Sequence, residues 1–199
     1  MDGVEIHNPY RLFGLTSAFN PETVRRFELT AGGFGAAYGD RLSSLLLVEN
    51  RVGDPTTGFK GSAAMSLTDG NVVAEGKLPG NMTGSWVATA RRTYYDLIAD
   101  RILGTTLPSF ADLQAKGVWE PGEHTRVSLF ALVSREDTDA SFDGSAPGER
   151  GAIVARTRND VVSARYERQL EAHGTSTTTV AWYQNTDRLN FDGSFQSEN

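Results

Sequence analysis

Arg126-Val127-Ser128-Leu129-Phe130-Ala131-Leu132-Val133-Ser134 sets Val127, Leu129, Ala131 and Val133 on one face of an extended chain and Arg126, Ser128 and Ser134 on the other. Successive side chains of a strand point to opposite sides, so the stretch reads as a strand whose second face, with Phe130 and Leu132, is only partly polar. The alternation recurs on either side. Trp86, Ala88 and Ala90 oppose Ser85, Thr89 and Arg91, while Leu113, Ala115, Gly117 and Trp119 oppose Asp112, Gln114 and Lys116. Val162, Ala164, Tyr166 and Leu170 oppose Ser163, Arg165, Glu167 and Gln169, and Thr178, Val180 and Trp182 end the series. Turn signals between these runs predict seven antiparallel strands, near residues 59–68, 71–78, 85–94, 110–119, 125–135, 159–171 and 176–188.

The connections differ in kind. Pro79-Gly80-Asn81, Glu120-Pro121-Gly122-Glu123 and Ala172-His173-Gly174 are tight, and Asp69-Gly70 is a hairpin signal of its own. Tyr95 to Ser109 and Glu136 to Arg158 read as long polar loops. Short turns at one end and long loops at the other are the asymmetry of outer-membrane barrels. A soluble β-sandwich also alternates, and Trp86, Trp119, Tyr166 and Trp182 suit either a membrane interface or a packed core.

Composition narrows the classes. In 199 residues with 39% apolar and 22% charged side chains, apolar runs such as Leu45 to Val48 stay far short of a membrane-spanning helix. A net charge of −6 with dispersed basic residues argues against a nucleic-acid partner. The lack of cysteine excludes disulfides, thiolate metal sites and cysteine catalysis. Met1-Asp2-Gly3-Val4-Glu5 has neither a basic start nor an apolar run, so no secretory signal is expected in the chain as it stands.

Up to about residue 50 the texture differs. Asn20-Pro21-Glu22-Thr23 opens one short helical turn, Phe27 to Thr30 reads as a strand, and Ala31 to Gly39 forms a glycine-rich bend leading to a second strand from Leu42 to Val48. Gly32, Gly33 and Gly35 stand where the backbone turns with positive φ or approaches a neighbour closely. Gly33-Phe34-Gly35 also begins a dinucleotide fingerprint, but the last glycine comes late at Gly39 and a strand follows instead of a helix.

No catalytic or metal-binding constellation emerges. His7, His124 and His173 are far apart, and no Gly-x-Ser-x-Gly elbow occurs. Asp137, Asp139 and Asp143 share an expected loop at calcium-like spacing without the glutamate of an EF-hand, and read as a solvated loop. Asn81-Met82-Thr83 matches a glycosylation sequon by its three residues alone. Adjacent Arg91 and Arg92 must face opposite sides of their strand, one toward a lumen and one toward an interface where its stem can snorkel.

Asp2-Gly3-Val4 and Ile6-His7-Asn8-Pro9-Tyr10-Arg11-Leu12-Phe13-Gly14 resemble the plug domain of TonB-dependent outer-membrane receptors. So does Asn20 to Leu29, with Glu28 on its strand, and so do Gly32, Gly33, Tyr38 and Gly39 at the plug's glycine bend. Leu42 to Asn50 resembles the last plug strand, and Ser66-Leu67-Thr68-Asp69 with Leu78-Pro79-Gly80 the first barrel hairpin. Ala31 stands where that family carries a basic residue, and offers no charge for the family's plug-to-barrel ion pair.

The resemblance implies a mainly β chain: residues 1–50 the C-terminal part of a plug, and residues 51–199 about seven strands of an antiparallel outer-membrane barrel, truncated because such receptors close about 22 strands. It implies a non-enzymatic fragment of a receptor for energised uptake of a scarce metal chelate, vitamin or glycan, without a cofactor. Its expected partners are outer-membrane lipid and, in the full-length parent, the TonB energy-transducing complex, whose contact segment is missing here. A soluble all-β binding module is the alternative.

Overall fold

The computed structural model describes residues 1–6, 10–11, 16–17, 19–35, 38–39, 44–94, 108–143, 150–170 and 174–194. Those residues are mainly antiparallel β structure and include no helix. Two small pairs come first: β1 (Tyr10–Arg11) with β2 (Thr16–Ser17), and β3 (Val24–Thr30) with β4 (Leu45–Asn50). Then β5 (Lys60–Met65), β6 (Asp69–Lys77), β7 (Gly84–Thr93), β8 (Ser109–Gly122), β9 (Thr125–Asp143), β10 (Arg150–Leu170) and β11 (Gly174–Ser194) form one sheet in chain order. Each strand pairs with the next, so the sheet is a meander, and among the described residues β5 and β11 are its unpaired edges.

The alternation sorts the sheet's faces. Asn71, Val73, Glu75, Ser85, Thr89, Arg91, Asp112, Gln114, Lys116, Ser134, Asn159 and Ser163 are buried on one side. That side is met by the first residues and by Asn20, Thr23, Val48, Asn50 and Arg51. Met1, Val4 and Val48 pack against Phe130, Leu132 and Val161, which explains the two apolar residues on the otherwise polar face of β9. Burying Leu132, 1% exposed, contributes roughly 2 kcal/mol. The opposite side is open: Leu113 is 57% exposed, Leu129 58%, Val162 53%, Val180 69% and Trp182 53%.

Several expectations need correction. Asn20 to Thr23 is a single turn, with Thr23 N–H donating to Asn20 O at 3.0 Å and Glu22 N–H to Asn20 Oδ1 at 3.1 Å. The chain passes from it directly into β3, because ladder bonds to β4 replace helical ones. Residues 136–143 and 150–158 are not loop but continue β9 and β10, so Asp137 and Asp139 are strand residues opposite Arg156 and Val154, and Asp143 pairs with Arg150. The turn before β6 falls one step early: Ser66 N–H donates to Asp69 O at 2.9 Å, leaving Asp69-Gly70 within the strand. Gly32 and Gly33 do adopt positive φ, +92° and +70°, whereas Gly35 neither does so nor approaches a neighbour. His7, Ala172, His173 and most of the Tyr95–Ser109 connection lie outside the described residues.

Candidate functional site

The site that the fold builds is the seam between the N-terminal segment and the covered face. Alternation on β6, β7 and β8 aims Glu75, Thr89, Gln114 and Lys116 at that segment, and burial obliges each polar group to find a partner. Lys116 Nζ meets Asp2 Oδ1 at 3.0 Å and donates to Asn50 O at 2.8 Å. The other Asp2 oxygen accepts from Asn50 Nδ2 at 2.8 Å, and Asn50 N–H donates to Asp2 Oδ1 at 3.1 Å. Arg51 Nη1 lies 2.6 Å from Glu75 Oε2.

Further along, Asn20, fully buried, reaches Thr89 Oγ1 at 3.3 Å and accepts from Asn71 Nδ2 at 2.9 Å, while Thr23 Oγ1 donates to Gln114 Oε1 at 3.3 Å. Gly53 lies against the backbone of Trp86; a Cβ there would fall 1.9 Å from the Trp86 carbonyl oxygen. The segment is therefore held by two charge pairs and a set of amide and hydroxyl bonds. Charge-assisted bonds of this kind are short and directional, and a buried polar seam demands one register.

A cleft of about 800 Å³ opens between the segment and the wall, with Asp2, Glu28, Tyr38, Lys116, Arg126 and Arg165 among its lining. Arg165 bridges to Glu167 at 2.9 Å and Arg126 to Glu120 at 3.8 Å. The cleft thus carries both signs of charge, and suits a polar occupant better than an apolar one. Among the described residues no group of three His, Asp or Glu side chains converges as metal ligands would.

The glycine-bend residues do not converge on one point. Glu28 and Tyr38 reach the cleft; Glu28 is paired with Arg26 at 2.8 Å, and Tyr38 N–H donates to Gly35 O at 3.0 Å. Gly32 and Gly33 turn the backbone with positive φ, Gly39 does not, and none of the three lines the cleft. Arg91 and Arg92 face opposite sides, as their adjacency demands: Arg91, 7% exposed, bridges to Asp112 at 2.6 Å with its guanidinium 5.1 Å from the Phe110 ring centre, while Arg92 is on the open face. The alternating pattern marks Lys116 and Glu75 as facing inward, but nothing in it names Asp2 and Arg51 as their partners.

Asp54, just past Gly53, closes a small turn. Its carboxylate accepts from Thr56 N–H at 2.8 Å, Thr56 Oγ1 at 2.6 Å and Thr57 Oγ1 at 2.9 Å. The Thr56 bonds, first the hydroxyl and then the amide, hold the Asp54 pKa down at about 2.

Comparison of the chain with protein-family models, curated proteins and solved structures finds no match in any of the three.

Proposed function

We propose that this chain forms part of the wall of an outer-membrane β-barrel together with part of the plug inside it, as in a TonB-dependent uptake receptor. The observation that carries the reading is the inverted polarity of the seven-stranded sheet. Its covered face is polar and bonded to the N-terminal segment, and its uncovered face is apolar. A soluble sheet with one wet face places its polar residues in water and its apolar residues inside. Here the apolar side is the one left uncovered, as a lipid-facing wall requires.

On this reading the open edges, β5 and β11, are paired in the membrane by other strands, since lipid does not tolerate unbonded backbone. The seam holds the plug segment to the wall, and the charged cleft beside it lies on the lumen side. The partners are outer-membrane lipid and, for the complete receptor, the TonB complex, with energised uptake of a ligand as the activity. No catalytic role is assigned.

All three tryptophans, Trp86, Trp119 and Trp182, stand on the open side, which makes the test direct. The full chain refolded into phosphatidylcholine vesicles is expected to show blue-shifted tryptophan emission, quenched by lipids brominated on their acyl chains. Emission at the wavelength of hydrated tryptophan, with no quenching, would overturn the proposal.

A further inference from the structure

The cleft of about 800 Å³ between the N-terminal segment and the wall has a floor and a roof of different character. The floor is built by β9 and β10, where Arg126 pairs with Glu167 and Ser128 with Arg165, all four lining the cleft. Arg126 and Arg165 are thus diagonal neighbours, about 7 Å apart at the backbone. Glu167 takes one N–H of Arg165, at Nη2 and 2.9 Å, while Glu120 stands 3.8 Å from Arg126 Nε, beyond hydrogen-bond length. The Nε–H groups of both arginines are buried, and neither meets an acceptor among the described residues. Buried donors are paired in folded proteins, so two orphaned on neighbouring strands of one cleft call for an acceptor brought in by an occupant.

The segment comes close enough to enclose that acceptor. Gly3, at φ +83°, lies against Arg165, where a Cβ would sit 3.3 Å from Nη1. The roof is the face of β3 and β4 that carries Arg26, Glu28 and Glu49, with Arg26 opposite Glu49 in the ladder. Glu28 is held by Arg26 at 2.8 Å and Glu49 by Arg25 at 3.3 Å, but these side chains are half-exposed, and exposed ion pairs change partners at little cost. Donors below and carboxylates above make the site dipolar. A bare dianion would be repelled by Glu28, Glu49 and Glu167, whereas a molecule with one anionic and one cationic end meets a counter-charge at each.

We propose that the cleft is a binding site for a small zwitterion of the amino-acid or short-peptide class, its carboxylate bridging Arg126 Nε and Arg165 Nε and its ammonium facing Glu28 and Glu49. A carboxylate with a hydrogen bond of roughly 2.9 Å on each oxygen spans the gap between guanidinium groups on neighbouring strands. The volume is that of a small-molecule site. The site stands on the fold alone and goes beyond the membrane-wall reading, on which the cleft opens to the lumen.

The test titrates the full chain, in a non-ionic detergent, with triglycine, acetate and inorganic phosphate, and follows the arginine Nε–H signals by NMR. Triglycine is expected to shift the Arg126 and Arg165 signals together, and to bind about ten-fold more tightly than acetate, which lacks the cationic end, or phosphate. Arg126→Lys and Arg165→Lys keep the charge without the guanidinium fork, and each should weaken triglycine binding about ten-fold, while Arg156→Lys on the other side of the sheet leaves it unchanged. Should a lysine variant lose its fold, seen as collapsed signal dispersion, the unaltered chain still decides through which arginine signals move. The site is overturned by the absence of a saturable shift at the two arginines, by acetate or phosphate binding as tightly as triglycine, or by lysine variants that keep the triglycine affinity. A chain that binds triglycine yet does not enter vesicles sinks the wall reading and keeps the site; one that enters vesicles without binding triglycine does the reverse.

Discussion

Lys116 Nζ and Asp2 Oδ1 lie 3.0 Å apart across 114 positions of sequence, with 9% and 11% of their side chains exposed. Desolvating both charges costs several kcal/mol, and the pair is tolerable because Asn50 serves each: its amide groups donate to Asp2 and its carbonyl accepts from Lys116. Three residues from the chain start, the end of β4 and the middle of β8 are thereby tied at one point.

The two charges are unequal in what they would leave behind. Asp2→Ala strands the ammonium with the Asn50 carbonyl alone, and should cost about 3 kcal/mol. Lys116→Met leaves Asp2 its two Asn50 donors, and should cost clearly less. Urea titrations of the detergent-solubilised variants would rank them; the reverse order would contradict the account of the seam.

Gly53 and Gly117 make a second contrast. A Cβ at Gly53 meets the Trp86 carbonyl oxygen at 1.9 Å, so Gly53→Ala must displace the segment and should cost roughly 1–3 kcal/mol. At Gly117 nothing lies within 4 Å, and alanine relieves the entropy cost of glycine in a strand, so Gly117→Ala should be neutral or stabilising by about 0.5 kcal/mol. Melting the two variants side by side checks both signs.

Asp54 supplies a pH dependence. Its folded pKa, about 2, lies below the ordinary 3.8, so folding favours the carboxylate. That contribution is complete above pH 3.8 and is lost as the pH falls from there through about 2. Carboxyl carbon shifts followed by NMR should show the low midpoint, and Thr56→Ala, which removes the hydroxyl bond, should move it upward. A midpoint at 3.8 in the unaltered chain would refute the turn's role.

How far the sequence announces this arrangement depends on the range of the cause. The faces of β7 to β10 were legible because alternation is local: Leu129 and Ser128 differ in surroundings simply by being adjacent. The extension of β9 and β10 through Asp137, Asp139 and Arg156 was not, because past the apolar band the two faces cease to differ: β9 is polar on both from Arg135 to Asp139, and β10 is apolar on both from Ala152 to Ala155. Asn20 looked like a helix cap, and does bond its own turn, but its side chain is also taken up by Asn71 and Thr89 more than fifty residues on. Lys116 and Asp2 belong to the same class: the pattern gives the side each residue faces, and only the folded chain gives its partner.

The membrane reading makes an arginine scan of β9 diagnostic. Leu129 and Ala131 lie on the open apolar face, and an arginine at either should cost roughly 2–4 kcal/mol of stability in a bilayer. Ser128 faces the cleft, where a cation has polar neighbours, and Ser128→Arg should cost much less. Folding yields in vesicles measure the difference, and equal tolerance at Leu129 and Ser128 would count against lipid on the open face.

Without a bilayer the same surfaces become liabilities. The side chains of β5 are exposed along its whole length, and β11 offers Val180 at 69% and Trp182 at 53% exposure beside an unpaired backbone edge. An uncovered edge recruits another strand, and a broad apolar face recruits another such face. The N-terminal segment cannot relieve either, because it already occupies the other side of the sheet. Expressed by itself in plain buffer, the chain should therefore accumulate as inclusion bodies or polydisperse oligomers and become tractable only in detergent. Light scattering with an apolar-surface dye decides the matter: a monodisperse monomer that melts cooperatively and binds no dye would mean that the open face is content in water, and would turn the reading toward a soluble β-module.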